Sequence, residues 1–148
     1  MKNYIEYSSN LDNELLRANN IVIAPTCVIE SGVKIYYNSC ILGNSVVLKG
    51  ATIFNNSTII NSVVGSNSKI FSSMIDQSEI GANCTIGPFA SIKDNSKISN
   101  NCSIGNFVEM SEGIIAENVQ IKSLAIIKDS RIEEDSVIES GVTLNQVG

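Results

Sequence analysis

The sequence predicts an all-β parallel β-helix of about seven coils with a short N-terminal helix, because three columns of residues recur together every six positions. Neither a helix nor an alternating strand gives a period of six, whereas a short strand followed by a corner does. Three such units close a triangular coil, and successive coils stack ~4.8 Å apart. The first column holds large aliphatic anchors, at Ile23, Ile29, Ile35, Ile41, Val47, Ile53, Ile59, Ile80, Ile86, Ile92, Ile98, Ile104, Met110, Ile115, Ile121, Ile127, Ile132, Ile138 and Leu144.

The repeat contains shortened steps. Met110 to Ile115 and Ile127 to Ile132 are steps of five residues. Between Ile59 and Ile80 the register is looser and passes through Val64, Ile70 and Ile75. We therefore predict a β-helix domain over residues 23–148, preceded by an extension of residues 1–22 that lacks the repeat.

The second column holds small or β-branched residues four positions after each anchor, where a corner interior limits side-chain size. Three of the four cysteines, Cys27, Cys84 and Cys102, belong to it. No cysteine lies in a CxxC pair, so these thiols are expected to be small core residues and no metal site is predicted.

The third column holds turn formers that tolerate a left-handed backbone, as a sharp corner requires. They are Gly32, Asn38, Asn44, Gly50, Asn56, Asn67, Asn83, Asn95, Asn101, Gly113, Asn118, Asp135 and Gly141.

Bulky apolar residues replace the turn former at Phe89, Phe107 and Leu124. Their anchors are three units apart, so the three side chains should stack in one ladder along one edge of the prism. Such a ladder favours a subunit interface. The alternative is local packing under a loop. We predict a homotrimer.

The extension is expected to cap the lower end of the solenoid, since a bare terminal coil exposes strand edges and core. Residues 11–18, LDNELLRA, predict two turns of helix with Leu15 and Leu16 facing inward.

Composition excludes several function classes. The net charge of -5 without a long charged run argues against a nucleic-acid surface. No stretch reaches the ~20 apolar residues of a membrane helix, and the N-terminus lacks the apolar core of a signal peptide, so a cytoplasmic location is expected. The absence of histidine excludes an imidazole base or metal ligand.

The segments IGPFASIKDN, at 86–95, and IGNFVEM, at 104–110, carry a more specific signature. They resemble the acetyltransferase domain of the bifunctional uridyltransferases that make UDP-N-acetylglucosamine, within the left-handed β-helix acyltransferases. The resemblance extends over about 125 residues and implies a left-handed solenoid. It includes no counterpart of that family's Gly-rich nucleotide loop, so uridyl transfer is not expected of these residues.

The resemblance also implies a site whose chemical groups have changed. The family's phosphate-binding arginine falls at Lys93, its glutamate is kept as Glu109, and its next lysine falls at Ser111. The histidine that acts as general base falls at Ser123. We expect Lys93 and Glu109 on successive coils and neighbouring sides of the prism, as a vestigial sugar-phosphate site. The alternative is a solvated surface pair.

Two classes of function follow. In the first, the chain is a catalytically degenerate, trimeric scaffold that needs no cofactor and docks onto a nucleotidyltransferase or another enzyme of sugar metabolism. In the second, it is a transferase subunit whose acetyl-CoA site is completed by another chain, since the family's coenzyme-binding coils would follow residue 148.

Overall fold

The computed structural model describes residues 3–146. The helix α1 spans Asn13–Ala18. The strands, in chain order, are β1 (Tyr4–Glu6), β2 (Val22–Ile23), β3 (Val28–Ile29), β4 (Lys34–Tyr36), β5 (Cys40–Leu42), β6 (Val46–Val47), β7 (Thr52–Ile53), β8 (Thr58–Ile60), β9 (Val63–Val64), β10 (Lys69–Ile70), β11 (Met74–Asp76), β12 (Glu79–Ile80), β13 (Thr85–Ile86), β14 (Ser91–Lys93), β15 (Lys97–Ile98), β16 (Ser103–Ile104), β17 (Glu109–Ser111), β18 (Ile114–Ile115), β19 (Gln120–Ile121), β20 (Ile126–Lys128), β21 (Arg131–Ile132), β22 (Val137–Ile138) and β23 (Thr143–Asn145).

These strands form three sheets, which are the three faces of a triangular prism. Face A has the order β1-β4-β7-β10-β13-β16-β19-β22 and face B the order β2-β5-β8-β11-β14-β17-β20-β23. Face C has the order β21-β18-β15-β12-β9-β6-β3. From β2 onward every pairing is parallel, as one strand per face is added in each turn of the chain. The predicted left-handed parallel β-helix of about seven coils is confirmed.

The anchors point inward and pair with one another between coils. Ile75, for example, lies in register with Ile59 below and Ile92 above. Most anchors are completely buried, including those in the looser stretch, Val64, Ile70 and Ile75. Each buried aliphatic side chain contributes roughly 1.5–3 kcal/mol relative to exposure, so the column of anchors accounts for most of the core's stability.

Most of the predicted turn formers have the expected positive φ, and two do not. Asparagines such as Asn56, Asn83 and Asn101 have φ near 60°. At the corner between faces B and C, Asn95 has the predicted left-handed backbone, but in two other coils the left-handed residue comes one position earlier. There Gly43 and Glu112 have positive φ, and the predictions for Asn44 and Gly113 are wrong. The shortened steps to Ile115 and Ile132 fall at this corner, where the chain turns in fewer residues.

The extension contains the predicted helix and an unpredicted strand. Asp12 caps α1 by accepting a hydrogen bond from the backbone N–H of Glu14 at 2.9 Å. Leu16 packs against the core, but Leu15 is 46% exposed, so its predicted inward orientation is wrong. Adjacent helical residues are about 100° apart, and one short helix cannot turn both toward the same core. Strand β1 pairs antiparallel with β4 and closes the lower edge of face A.

An aromatic stack runs along face A beside its corner with face B. Tyr4 and Tyr36 lie in β1 and β4, and Phe54 and Phe71 directly follow β7 and β10. Successive ring centroids are 5.0, 4.8 and 4.2 Å apart. Such ring pairs contribute about 0.5–1.5 kcal/mol each beyond the area they bury. The stack therefore fastens the N-terminal strand to the solenoid.

Within residues 3–146, no helix has the length and apolar character that crossing a membrane requires.

Candidate functional site

The apolar ladder, Phe89, Phe107 and Leu124, stands at the corner between faces A and B. The two phenyl rings stack with centroids 5.4 Å apart. Backbone hydrogen bonds join the successive corners, from the Phe107 N–H to the Pro88 carbonyl and from the Leu124 N–H to the Asn106 carbonyl. All three side chains are more than half exposed, at 59, 53 and 60%. The two rings stack as predicted, Leu124 lies one coil above them at the same corner, and no part of the described chain forms a loop that covers the ladder.

The ladder is also strained. Phe89, Phe107 and Leu124 have φ values of 59, 59 and 68°. A left-handed backbone costs a residue with a large side chain roughly 1–2 kcal/mol, whereas asparagine and glycine adopt it more readily. Asparagine occupies the same column lower down, at Asn38 and Asn56. Strained exposed apolar residues that replace a better turn former indicate a function other than stability of the isolated chain.

Lys93, Glu109 and Ser111 come together on face B. Lys93 lies in register with Ser111, and Glu109 is on the same strand as Ser111. The prediction that Lys93 and Glu109 occupy neighbouring sides of the prism is wrong. Their anchors, Ile92 and Met110, pair directly, so the two side chains share one face and differ in position along the strand by two residues.

Two further charged residues, Asp94 and Lys128, join this group. Lys128 lies in register above Ser111. A shallow cavity of about 190 Å³ is lined by Lys93, Asp94, Glu109, Met110, Ser111, Ile127 and Lys128. We name it the lysine depression. Sequence reasoning missed Lys128, although the repeat contained the signal: the residues that follow the anchors Ile92, Met110 and Ile127 are Lys93, Ser111 and Lys128.

The lysine depression holds two cations and two carboxylates without internal ion pairs. In the described part of the chain the one salt bridge within 4.0 Å joins Lys122 to Glu139, at 2.9 Å. Lys93, Asp94, Glu109 and Lys128 are all exposed. Their charges are therefore available to a ligand that carries both an anionic and a cationic group, although water screens each of them.

Ser123 is not part of the depression. It lies at the A–B corner beside Leu124, where its hydroxyl donates a hydrogen bond to the Asn106 amide oxygen. An amide oxygen is not basic enough to remove the hydroxyl proton, so this contact does not activate Ser123 as a base or a nucleophile. The position that aligns with the family's histidine thus lacks a group able to take a proton.

Two cysteines stack inside the corner between faces C and A. Cys84 and Cys102 are 1 and 2% exposed, and each thiol donates to a backbone carbonyl, that of Ser99 or Ala116, at 3.1 Å. The contact with the Cys102 thiol, together with burial, raises the pKa of Cys84 above its ordinary value. Both behave as small core residues, as predicted. Cys27 is only partly buried.

Residues 3–146 contain no group of three or more His, Cys, Asp or Glu side chains placed to hold a metal ion. A larger cavity, of about 430 Å³, lies on face C among residues that include Asn61, Gln77 and Lys97, and none of the predicted site residues lines it.

Comparison with known proteins agrees with this architecture. A family model of bacterial transferase hexapeptide repeats (six repeats) matches residues 77–111. The bifunctional protein GlmU of Clostridium acetobutylicum is 36% identical over 120 residues, which are 81% of this chain and 26% of that protein. GlmU of Carboxydothermus hydrogenoformans is 30% identical over 135 residues, 90% of this chain and 30% of that protein.

The chain is a hexapeptide-repeat, acyltransferase-like domain. This hexapeptide-repeat domain spans about a quarter of the length of the GlmU proteins that it matches. The UDP-N-acetylglucosamine acyltransferase of Arabidopsis superposes with a TM-score of 0.60 at 15% identity, over 84% of this chain and 59% of that one. The Francisella novicida enzyme of the same name superposes with a TM-score of 0.53 at 20% identity, over 84% of this chain and 60% of that one. These two structures establish the common fold of the hexapeptide-repeat domain.

Proposed function

We propose that this hexapeptide-repeat domain is a non-catalytic, cytoplasmic subunit that forms a homotrimer through its apolar ladder. In this role it is a scaffold or partner for an enzyme of nucleotide-sugar metabolism, such as a nucleotidyltransferase. Hexapeptide-repeat acyltransferase relatives are typically trimeric, which supports the assembly.

The single observation that carries the proposal is the exposure of three strained apolar residues in one ladder. Complete burial of a phenylalanine or leucine side chain gains about 1.5–3 kcal/mol relative to full exposure, which is at least comparable to the backbone strain of roughly 1–2 kcal/mol at each position. The ladder runs parallel to the direction in which coils stack. A threefold axis parallel to the solenoid would therefore bring three ladders together along their whole length.

The chemistry at Ser123 supports a non-catalytic role. Acetylation of an amine requires a group that accepts its proton, and a positioned base contributes roughly 10²–10⁴-fold to the rate. The 148 residues contain no histidine, and the Ser123 hydroxyl is bonded to an amide oxygen.

Assembly is tested by replacing the ladder with the turn former of the other corners, in the triple variant Phe89→Asn, Phe107→Asn, Leu124→Asn. We expect a folded monomer, because asparagine suits these φ values while the apolar contact is lost. The mass is measured by analytical ultracentrifugation and the fold by circular dichroism. Val28→Thr is the matched control, because Val28 is 60% exposed but lies on face C. A triple variant that remains trimeric contradicts the proposed interface.

The alternative function is a transferase subunit whose acetyl-CoA site is completed by another chain. The lysine depression favours it, since Lys93, Glu109 and Ser111 lie together. Isothermal titration calorimetry separates the two functions. The scaffold proposal predicts no binding of acetyl-CoA below 1 mM by the chain without a partner, whereas submillimolar binding would favour the transferase.

A further inference from the structure

A second column of residues lies beside the ladder, two residues earlier in each coil. It consists of the residues that follow the face A anchors, and from bottom to top these are Phe71, Gly87, Gly105, Lys122 and Glu139. Their anchors pair in register from Ile70 to Ile138. In this column two positions without side chains lie between the Phe71 ring below and the Lys122–Glu139 salt bridge above. We call this stretch the glycine recess.

The two glycines are required by close packing within the chain. A Cβ on Gly87 would lie 2.2 Å from the Ser73 hydroxyl and 2.4 Å from the Phe71 carbonyl oxygen. A Cβ on Gly105 would lie 2.8 Å from the Ser123 backbone nitrogen. Both glycines are nevertheless partly exposed. The outer side of both residues is therefore accessible and carries no side chain of the column, next to Phe89 and Phe107.

We propose that in the trimer the apolar ladder of each copy packs into the glycine recess of the next copy. This inference rests on the proposed homotrimer and adds the contact that sets its register. The phenyl rings occupy the space above the two glycines. The Phe71 ring forms the lower wall of the contact, and the Lys122–Glu139 salt bridge forms the upper wall.

The position of the recess fits the symmetry of a ring. A closed cyclic trimer is built from heterologous contacts, in which one surface of a copy meets a different surface of its neighbour. The ladder and the recess are adjacent columns at one corner, so an axis near that corner can join the ladder of each copy to the recess of the next. They also span the same coils, because Gly87 and Phe89, and Gly105 and Phe107, are two residues apart.

Disulfide cross-linking between two singly substituted chains tests this register. In a background with Cys27→Ser and Cys40→Ser, one chain carries Phe107→Cys and a differently tagged chain carries Lys122→Cys. The chains are co-expressed, purified as mixed assemblies and oxidised with copper phenanthroline, and the disulfides are mapped by mass spectrometry. Each chain carries one engineered cysteine, so any bond between positions 107 and 122 joins two copies. A chain with Lys49→Cys, an exposed lysine near the other end of the solenoid, replaces the second chain as control.

We expect the bond between positions 107 and 122 at a yield at least about tenfold above the Lys49→Cys control. A second pair one coil higher, Leu124→Cys with Glu139→Cys, should give the same result. A trimeric mass with bonds only between two copies of position 107 would overturn the recess contact and leave the homotrimer intact. A monomeric mass for the unsubstituted chain would overturn both proposals.

Discussion

Buried serines show how single residues hold adjacent coils together. At the corner between faces A and B, the Ser73 hydroxyl donates to the Phe71 carbonyl at 2.6 Å and accepts from the Ala90 N–H at 3.0 Å. Ser62 plays the same part between faces B and C, where it accepts from the Ser78 N–H at 3.1 Å. Within residues 3–146 no buried side-chain polar atom lacks a partner. These serines therefore have a structural role that requires no catalytic explanation.

Ser73→Ala should lower the free energy of unfolding by about 1–3 kcal/mol, because it leaves the buried Ala90 N–H without an acceptor. Urea denaturation followed by circular dichroism measures this change. Ser140→Ala, at an exposed corner, is the control and should have an effect near zero. Equal stability of the two variants would show that the Ser73 bridge contributes nothing.

The Cys84 thiol should make stability sensitive to alkaline pH. Its contact with the Cys102 thiol raises the pKa of Cys84 and lowers the pKa of Cys102 to about 7, so the folded chain keeps the Cys84 proton more tightly than the unfolded chain does, even after Cys102 has ionised. This contribution to stability is complete below the ordinary thiol pKa of about 8.5 and is lost progressively above it. Each pH unit above that value lowers the folding equilibrium constant by at most about tenfold.

Cys84→Ser should reduce the loss of stability between pH 8 and pH 10.5, because serine does not ionise in this range and fits the same column at Ser68. Urea titrations at several pH values measure the slope. Cys40→Ser, which replaces a partly exposed thiol, should leave the slope unchanged. An identical pH slope in Cys84→Ser and the parent chain would rule out this role for the thiol.

At the scale of elements, close packing at glycines limits what each strand can carry. Gly65 on face C is buried, and a Cβ there would lie 2.4 Å from the backbone carbon and oxygen of Gly81. Gly141 has a φ of 76° with open space around it. The first glycine is needed for the approach of two coils, and the second for its backbone conformation.

Gly65→Ala should therefore destabilise the solenoid by about 1–3 kcal/mol or more, which is the cost of overpacking a well-packed core. Gly141→Asn should change stability by less than about 1 kcal/mol, because asparagine tolerates a positive φ. Thermal unfolding of both variants compares them. A Gly65→Ala variant as stable as Gly141→Asn would show that the coils can separate at little cost.

Sequence periodicity predicted the anchors and most corners because both are local properties of a repeat. It did not predict strand β1, since Tyr4–Glu6 is too short to show a period and its pairing with β4 joins distant parts of the chain. It placed Leu15 inward because two leucines in a short amphipathic segment do not reveal which one faces the core. Lys93 and Glu109 share a face because their anchors, Ile92 and Met110, are three units apart in the repeat, and the motif in which each residue lies does not reveal this relation.

For the whole molecule, the lysine depression and the ladder occupy different parts of the prism. The two lysines of the depression, Lys93 and Lys128, lie at the end of face B next to face C, while the ladder lies at the corner of faces A and B. A substitution in one should therefore leave the other intact. Lys93→Ala with Lys128→Ala should keep the trimer and remove any affinity for sugar phosphates, as ultracentrifugation and calorimetry can show. Loss of the trimer in this double variant would mean that the depression is itself part of the interface.

Sedimentation equilibrium of the unsubstituted chain tests the central claim most directly. The chain has a mass of 15.9 kDa. A homotrimer held by the apolar ladder predicts three times that mass at micromolar concentration, with little change between low and high salt, because the contact is apolar. The mass of a single chain under the same conditions would contradict the account.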